Sequence, residues 1–413
     1  MSLKIISLIF SIVAVFFLFC NVVLTANAQS EIPTTKYRNM VIDLGNGLDT
    51  NARLNLPVIG DGPFPGILLV PGSGITDMNE TAGYVRIDNE TGSHIYPSAR
   101  PFFDIAQYLS ERGYAVLQYD KRGVGANFTI LDINTWGNIT IDDLAQDAQK
   151  ALNVLLQQPE VDSNNVTLVG HSEGTTIVPR IAINNSDKVD KIVLMGTLAQ
   201  NLREIGYDQL MVPILYAQKV LDHNHNGLIS LQEASVNPVF SSLFGNLTLV
   251  LSQNITLANG TVQRLNPQYD INNVTLISIN DELKPRQIDN LKSLAVVTPG
   301  EKCNGLTGPC PIWINSQYSL TPNLDIMDKV PSNISILILQ GTNDSDTPIQ
   351  QAFLLQQKLT EIRHPDHLLI TYTNLGHLFY PSSQWITTAE GPIESKVLED
   401  LYEWISDPAR DIK

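Results

Sequence analysis

One serine gathers the residues whose types and spacing could do chemistry. Gly170-His171-Ser172-Glu173-Gly174 fits G-x-S-x-G. It follows the apolar run Val166-Thr-Leu-Val169 and precedes a helical pattern from Thr175 to Ile183. A strand that bends sharply into a helix presents a serine hydroxyl at the tip of the bend, and the flanking glycines allow the tight turn. A hydroxyl is a weak nucleophile until a base takes its proton. The order expected with this motif is serine, then acid, then histidine. Two carboxylates, Asp344 and Asp346, stand just past the apolar run Ile334 to Leu339. Asp344 is the preferred acid, because the strand end aims it at an imidazole; Asp346 is then a loop carboxylate, as in an Asx-turn. His377 follows the last apolar run, Leu368 to Tyr372, and is the expected base. His94, His171, His223, His225, His364 and His367 do not follow it, and His171 is expected to pack or hydrogen-bond beside the serine.

Acyl transfer through such a serine develops negative charge on the carbonyl oxygen, which needs two pre-aimed backbone N–H groups. The N–H of Glu173, next after the serine, is one candidate. The other is the N–H of Ser73, in Pro71-Gly72-Ser73-Gly74 directly after the strand Gly66 to Val70. Gly72 and Gly74 would let the backbone approach a substrate there.

A second chemical signature lies further on. Asp222-His-Asn224-His-Asn226-Gly227-Leu228-Ile-Ser230-Leu-Gln-Glu233 fits D-x-[DN]-x-[DN]-G-x5-E without a mismatch. Oxygens from Asp222, Asn224, Asn226, Leu228 (backbone), Ser230 and Glu233 would surround Ca²⁺, with Gly227 making the sharp turn. Only Asp222 and Glu233 carry charge, so affinity should be weak and the ion's role structural. The alternative is a polar turn in which Glu233 caps the next helix.

The elements that must position these groups alternate between short apolar runs and helical patterns. Met40 to Leu44 and Ala52 to Leu56 read as a hairpin about Gly45-Asn46-Gly47. Further strands are expected at Gly66–Val70, Tyr114–Tyr119, Val166–Val169, Lys191–Met195, Ile334–Leu339 and Leu368–Tyr372, with helices over Pro101–Arg112 and Thr140–Gln158. This alternation predicts a mostly parallel central sheet flanked by helices. One gap breaks the rhythm, between Met195 and Ile334. Residues 198–328 therefore read as an inserted, partly helical cap, with helical patterns at Ile205–Leu221 and Asp281–Leu294. The core comprises residues 29–197 and 329–413.

The stretches Pro63 to Gly74 with Asp77, Tyr119-Asp-Lys-Arg-Gly-Val-Gly125, Gly170 to Gly174 and Gly341-Thr-Asn-Asp344 resemble the α/β-hydrolase superfamily. The likeness is to capped carboxylesterases related to dienelactone hydrolases and acylaminoacyl peptidases, and it spans about Arg38–Thr197 and Ser332–Trp404. It implies the α/β-hydrolase fold, hydrolysis of carboxylic esters through Ser172, His377 and Asp344, and no cofactor for catalysis. Asp120 to Gly125 is taken as structural. A peptidase or aminoacyl-amide hydrolase and a thioesterase share the same machinery. A catalytically inactive surface binding protein is the reading from another class.

Composition bounds the setting. The chain has 413 residues, 43% of them hydrophobic, enough for a large core plus an insert. A net charge of −16 argues against nucleic acid and anionic membrane surfaces as partners. Lys4 precedes an apolar run from Ile5 to about Leu24, and Ala26-Asn27-Ala28 follows it. Residues 1–28 therefore read as a signal peptide, or as an N-terminal membrane anchor, and the protein as secreted or extracytoplasmic. Cys303 and Cys310 then remain as an even pair, expected to form a disulfide. Twelve N-x-[ST] sequons, among them Asn79, Asn246, Asn259 and Asn343, suggest a glycoprotein, with any sugar on the cap and none on Asn79 or Asn343. Oligomeric state is not encoded in any pattern here.

Overall fold

The structure is a computed structural model. It describes residues 35–88, 92–127, 129–230, 233, 252–257, 260–265, 270–272, 274, 276–295, 311–382 and 391–408. The N-terminal apolar run with Ala26-Asn27-Ala28, and both Cys303 and Cys310, lie outside the described residues.

Eight strands form the central sheet: β1 (Thr35–Gly45), β2 (Leu48–Pro57), β3 (Phe64–Val70), β4 (Ala115–Tyr119), β5 (Val161–His171), β6 (Val189–Met195), β7 (Ser335–Gly341) and β8 (His367–Tyr372). Their spatial order is β1-β2-β4-β3-β5-β6-β7-β8. β1 and β2 are antiparallel, as expected, and Gly45, Asn46 and Gly47 at the turn all have positive φ. That is the conformation a tight hairpin demands and that Asn and Gly tolerate. β2 also runs antiparallel to β4, and every later pair is parallel.

The longer helices among the described residues are α1 (Pro101–Ser110), α2 (Ile141–Leu156), α3 (Gly174–Asn184), α4 (Leu202–Tyr216), α5 (Lys284–Ala295), α6 (Pro311–Ser319), α7 (Ile349–Glu361) and α8 (Ser395–Ile405). Helices α2, α3 and α7 cover one face of the sheet through residues such as Leu152, Ile177 and Leu355. Helices α1 and α8 cover the other through Phe102, Leu109, Leu401 and Trp404. With both faces covered, β3 to β7 read as continuous apolar runs rather than alternating ones. Burying each such Leu, Ile or Val stabilises the fold by about 1.5–3 kcal/mol. Helix α2 starts on a capping box: Thr140 Oγ1 accepts from Asp143 N–H, and Thr140 N–H donates to the Asp143 carboxylate.

The structure adds to the sequence pattern in several places. Between β3 and α1, where the pattern suggests no element, an antiparallel hairpin pairs Ala82–Asp88 with Gly92–Ala99. The helix expected from Asp281 begins instead as a π-helical turn, Ile279–Leu283, before α5.

Between β6 and β7 the chain leaves the sheet. Helix α4 runs into a second π-helical turn, Ala217–Leu221. Short strands Leu228–Ser230 and Leu276–Ser278 pair antiparallel, with buried Ile229 opposite buried Ile277. Helix α5 packs on α4, and α6 packs on both α4 and α2. Among the described residues no helix is long and apolar enough to cross a membrane.

Candidate active site

Ser172 sits where β5 turns into α3, and its φ of +52° is in the left-handed region that a serine enters only under constraint. Its N–H donates to Met195 O at the end of β6, 2.9 Å away. The two motif glycines answer close approach rather than torsion. A Cβ on Gly170 would stand 2.5 Å from Gly174 O, and one on Gly174 would stand 2.2 Å from Val70 O. Backbone packs against backbone on both sides of the serine, and no other residue fits.

The loops after β7 and β8 bring Asp344 and His377 together. His377 Nδ1 lies 2.9 Å from Asp344 Oδ2 and 3.0 Å from Oδ1. The Asp344 carboxylate is further held by Thr347 N–H (2.8 Å), Thr347 Oγ1 (2.7 Å), Asp346 N–H (2.9 Å) and the Gln340 amide (2.9 Å). Burial opposes ionisation of Asp344, but the imidazole and these donors prevail and hold its pKa below the ordinary value. Burial likewise pulls His377 down, and the carboxylates of Asp344 and Asp346 outweigh it, pushing the imidazole up to about 9. Gly196, at φ +57°, passes behind the ring, where a Cβ would stand 3.2 Å from it. Ser172 and His377 line one cavity of about 600 Å³.

Asp346 is not only a loop carboxylate. It too lines the cavity, and its carbonyl accepts from the Gln209 amide of α4 at 2.6 Å. Asp344 itself accepts from the backbone two and three residues on.

In the loop after β3, a Cβ on Gly72 would stand 3.1 Å from Ser172 Cβ. Gly72 N–H donates to Glu80 Oε1. Among the described residues no acceptor meets the N–H of Ser73 or of Glu173. These are the two groups singled out for the oxyanion.

The Glu173 side chain is buried. It accepts from Lys121 Nζ (2.6 Å), Trp313 Nε1 (2.6 Å) and Gln317 Nε2 (2.5 Å). Trp313 and Gln317 belong to α6, so this carboxylate ties the excursion to the turn that carries Ser172. The rest of Asp120 to Gly125 is scaffolding, as expected. Asp120 accepts Met78 N–H, and Arg122 forks onto Asp147 and reaches Asp143.

The candidate calcium loop follows the turn at the end of α4. Asp222 Oδ1 accepts Asn226 N–H at 3.0 Å, and Oδ2 accepts Gly227 N–H at 2.8 Å. Asn226 Oδ1 accepts Leu228 N–H, and Glu233 accepts both the N–H and the hydroxyl of Ser230. His223 and His225 are exposed. Among the described residues no three His, Cys, Asp or Glu side chains cluster as a metal site. In this loop only two of the proposed oxygen donors are carboxylates.

Sequence reasoning missed four features. Glu80 carries no motif, and only the fold brings it to His171. Trp313 and Gln317 stand at i and i+4, a helical spacing with no partner visible in the sequence. The fourth is a second loop, Asp270 to Glu282, joined to the first through the Ile229–Ile277 pairing. Asp270 accepts Val274 N–H as Asp222 accepts Asn226 N–H. Val274 replaces an oxygen donor, and Glu282 fills the loop by accepting from Ile271, Asn272 and Ser278 N–H. A looser pattern, Asp-x-Asn-x5-Ser ending in acid, would have found it.

Over 166 residues the chain is 34% identical to esterase EstD of Thermotoga maritima, covering 40% of this chain and 34% of EstD. The match thus spans about a third of that relative's length. Among solved structures, the α/β hydrolase GrgF of Penicillium superposes with a TM-score of 0.46 at 15% identity, covering 90% of this chain and 98% of GrgF. The acylaminoacyl peptidase of Pyrococcus horikoshii gives 0.43 at 12% identity, covering 84% and 38%. The chain matches the α/β-hydrolase fold family over residues 90–383, most of its length, and belongs to that family.

Proposed function

We propose that the protein is a serine carboxylesterase acting through an acyl-enzyme on Ser172. The observation that carries this reading is the buried Asp344–His377 pair opening onto the same cavity as Ser172. With Nδ1 turned to Asp344, Nε2 is the ring nitrogen left to take the serine proton. Ser172 Oγ attacks the ester carbonyl, and its proton passes to His377. Ser73 and Glu173 N–H groups hold the oxyanion. The alkoxide leaves with the proton from His377, and water, activated by the same nitrogen, hydrolyses the acyl-enzyme. Asp344 fixes the tautomer and stabilises the imidazolium.

The cavity favours uncharged, apolar acyl groups. Ile75, Leu198, Leu202, Ile205 and Ile314 line it, and no Lys or Arg does so among the described residues. A substrate bearing a free carboxylate or the phosphates of coenzyme A would enter without a counter-charge. Residues 198–328 act in this reading as the lid that supplies much of that wall. A panel of p-nitrophenyl esters, aminoacyl anilides and acyl-coenzyme A thioesters tests it. Uncharged esters should lead in kcat/KM by at least ~10²-fold, and a leading anilide or thioester would reassign the enzyme. The signal-like N-terminus and the sequons support work outside the cytoplasm in this reading; secreted protein should begin at Gln29.

A structural calcium ion is a second element of the proposal. Asp222, Asn224, Asn226, Ser230, Glu233 and the Leu228 carbonyl would hold it, and the fit rests on Asp222 accepting two N–H groups of its own loop. The ion would brace the far end of α4, whose first turns line the cavity. Calorimetry should show binding at millimolar Ca²⁺ that the double variant D222A/E233A abolishes; no heat at that concentration would reduce the loop to a turn.

A further inference from the structure

Glu80 and His171 are buried, titratable and unused by the reaction as drawn. Glu80 is a non-glycine residue at φ +50°, held in that conformation beside the loop that follows β3. Its Oε1 accepts Gly72 N–H. His171 Nδ1 lies 2.9 Å from Oε2 and 3.2 Å from Oε1, the latter in hydrogen-bonding geometry. On the opposite edge of the same ring, His171 Nε2 lies 3.0 Å from the backbone carbonyl of His377. These contacts form one chain through three loops: the one that carries the oxyanion donor Ser73, the turn that carries Ser172, and the loop that carries the base. The His171 and His377 rings stand 4.7 Å apart, centroid to centroid, and Phe102 and Phe379 close the remaining sides edge-on.

A carbonyl oxygen only accepts, so His171 Nε2 carries a hydrogen. Nδ1 then either donates to an ionised Glu80 or accepts from a protonated one. The loop around His377 also needs an external hold. Asn374 and Phe379 both have positive φ, and the His377 carbonyl lies in buried surroundings where a lost partner is costly.

We propose that Glu80 and His171 are positioning residues that set the spacing of the oxyanion loop and the His377 loop about Ser172. The proposal rests on the Ser172–His377–Asp344 reading above. It predicts that damage falls more on kcat than on KM, since both residues border the cavity but are almost wholly buried. It also predicts that a neutral mimic suffices. In Glu80→Gln the amide oxygen still accepts Gly72 N–H, while the amide N–H₂ donates to Nδ1 of a neutral His171.

The test measures kcat, KM and the rate of fluorophosphonate labelling at Ser172 in full-length protein, with folding followed by circular dichroism. Glu80→Leu and His171→Phe should each lower kcat and the labelling rate by about 10²-fold, with KM changed less than about 3-fold. Glu80→Gln should stay within about 3-fold of wild type in kcat. The Leu–Phe double variant should be about as impaired as either single one, since the residues act as a unit. If Glu80→Leu does not fold, His171→Phe and Glu80→Gln decide the matter. Full kcat in folded His171→Phe, or loss of kcat in Glu80→Gln equal to that in the folded variants, overturns the proposal. Wild-type protein that does not label at Ser172 refutes the nucleophile assignment instead, which separates the two failures.

Discussion

Glu173→Leu should be among the most costly single changes near the cavity, and its cost follows from the contacts. The carboxylate is 3% exposed and its partner Lys121 is 4% exposed. It accepts at 2.6 Å from Lys121, 2.6 Å from Trp313 and 2.5 Å from Gln317. Leucine leaves the ammonium buried without its carboxylate, which typically costs about 3–5 kcal/mol. The indole and amide N–H groups lose an ionised acceptor, about 1.5–3 kcal/mol each. Helix α6 can move to hydrate those two, whereas Lys121 lies on the core side, so the Lys121 loss dominates global stability. Unfolding entropy near 2 cal/mol/K per residue gives roughly 0.8 kcal/mol/K for a chain of this size. The melting temperature should therefore fall by about 4–6 °C. Trp313→Phe keeps an aromatic ring but removes the fused pyrrole ring with its N–H; it should lower the melting temperature less than Glu173→Leu does and raise KM for ester substrates as α6 loosens. Calorimetric scans and Michaelis kinetics read both. A Glu173→Leu protein melting within about 1 °C of wild type would refute the claim that this carboxylate neutralises Lys121 and anchors α6.

Further outcomes follow from the same structure. The reaction needs neutral His377, and Asp344 and Asp346 together raise its pKa. The acid limb of kcat/KM should therefore lie above the ordinary histidine value, with activity lost as pH falls through it. Asp344→Asn should lower kcat by about 10⁴-fold and move that limb to lower pH; Asp346→Asn should move it less and cost far less rate. An unmoved limb in Asp344→Asn contradicts the pairing. Asn343, a sequon residue beside Asp344, donates its amide to Ser382 O at 2.5 Å and is only partly exposed. Glycopeptide mass spectrometry should find it unmodified, and sugar there would argue against a working site.

The turn that carries Ser172 was legible in the sequence because its constraints are local. A buried strand, two glycines that only a close approach requires, and a helix follow one another within twenty residues. Asp344 and His377 were legible because each ends a recognisable apolar run, so chain order alone supplied the pairing. Glu80 and His171 were not. Their meeting depends on the loops after β3 and β8 converging over β5, and nothing local to Glu80 marks it. The hairpin between β3 and α1 escaped for a related reason, since Ala82–Asp88 and Gly92–Ala99 mix polar and apolar residues without a clean period of two. The excursion after β6 yielded its loop motif but not the second loop, where Val274 stands in place of an oxygen donor and breaks the pattern. The antiparallel pairing of Ile229 with Ile277 brings together residues far apart in sequence.

The central claim is that Ser172 is the nucleophile of an esterase. Intact protein should be treated with a fluorophosphonate, digested, and the modified peptide sequenced by mass spectrometry, with Ser172→Ala carried alongside. The account predicts a single adduct on Ser172, loss of ester hydrolysis in proportion to labelling, and a folded Ser172→Ala protein with activity reduced by at least ~10⁴-fold. An adduct on another residue, or ester hydrolysis retained by Ser172→Ala, would contradict it.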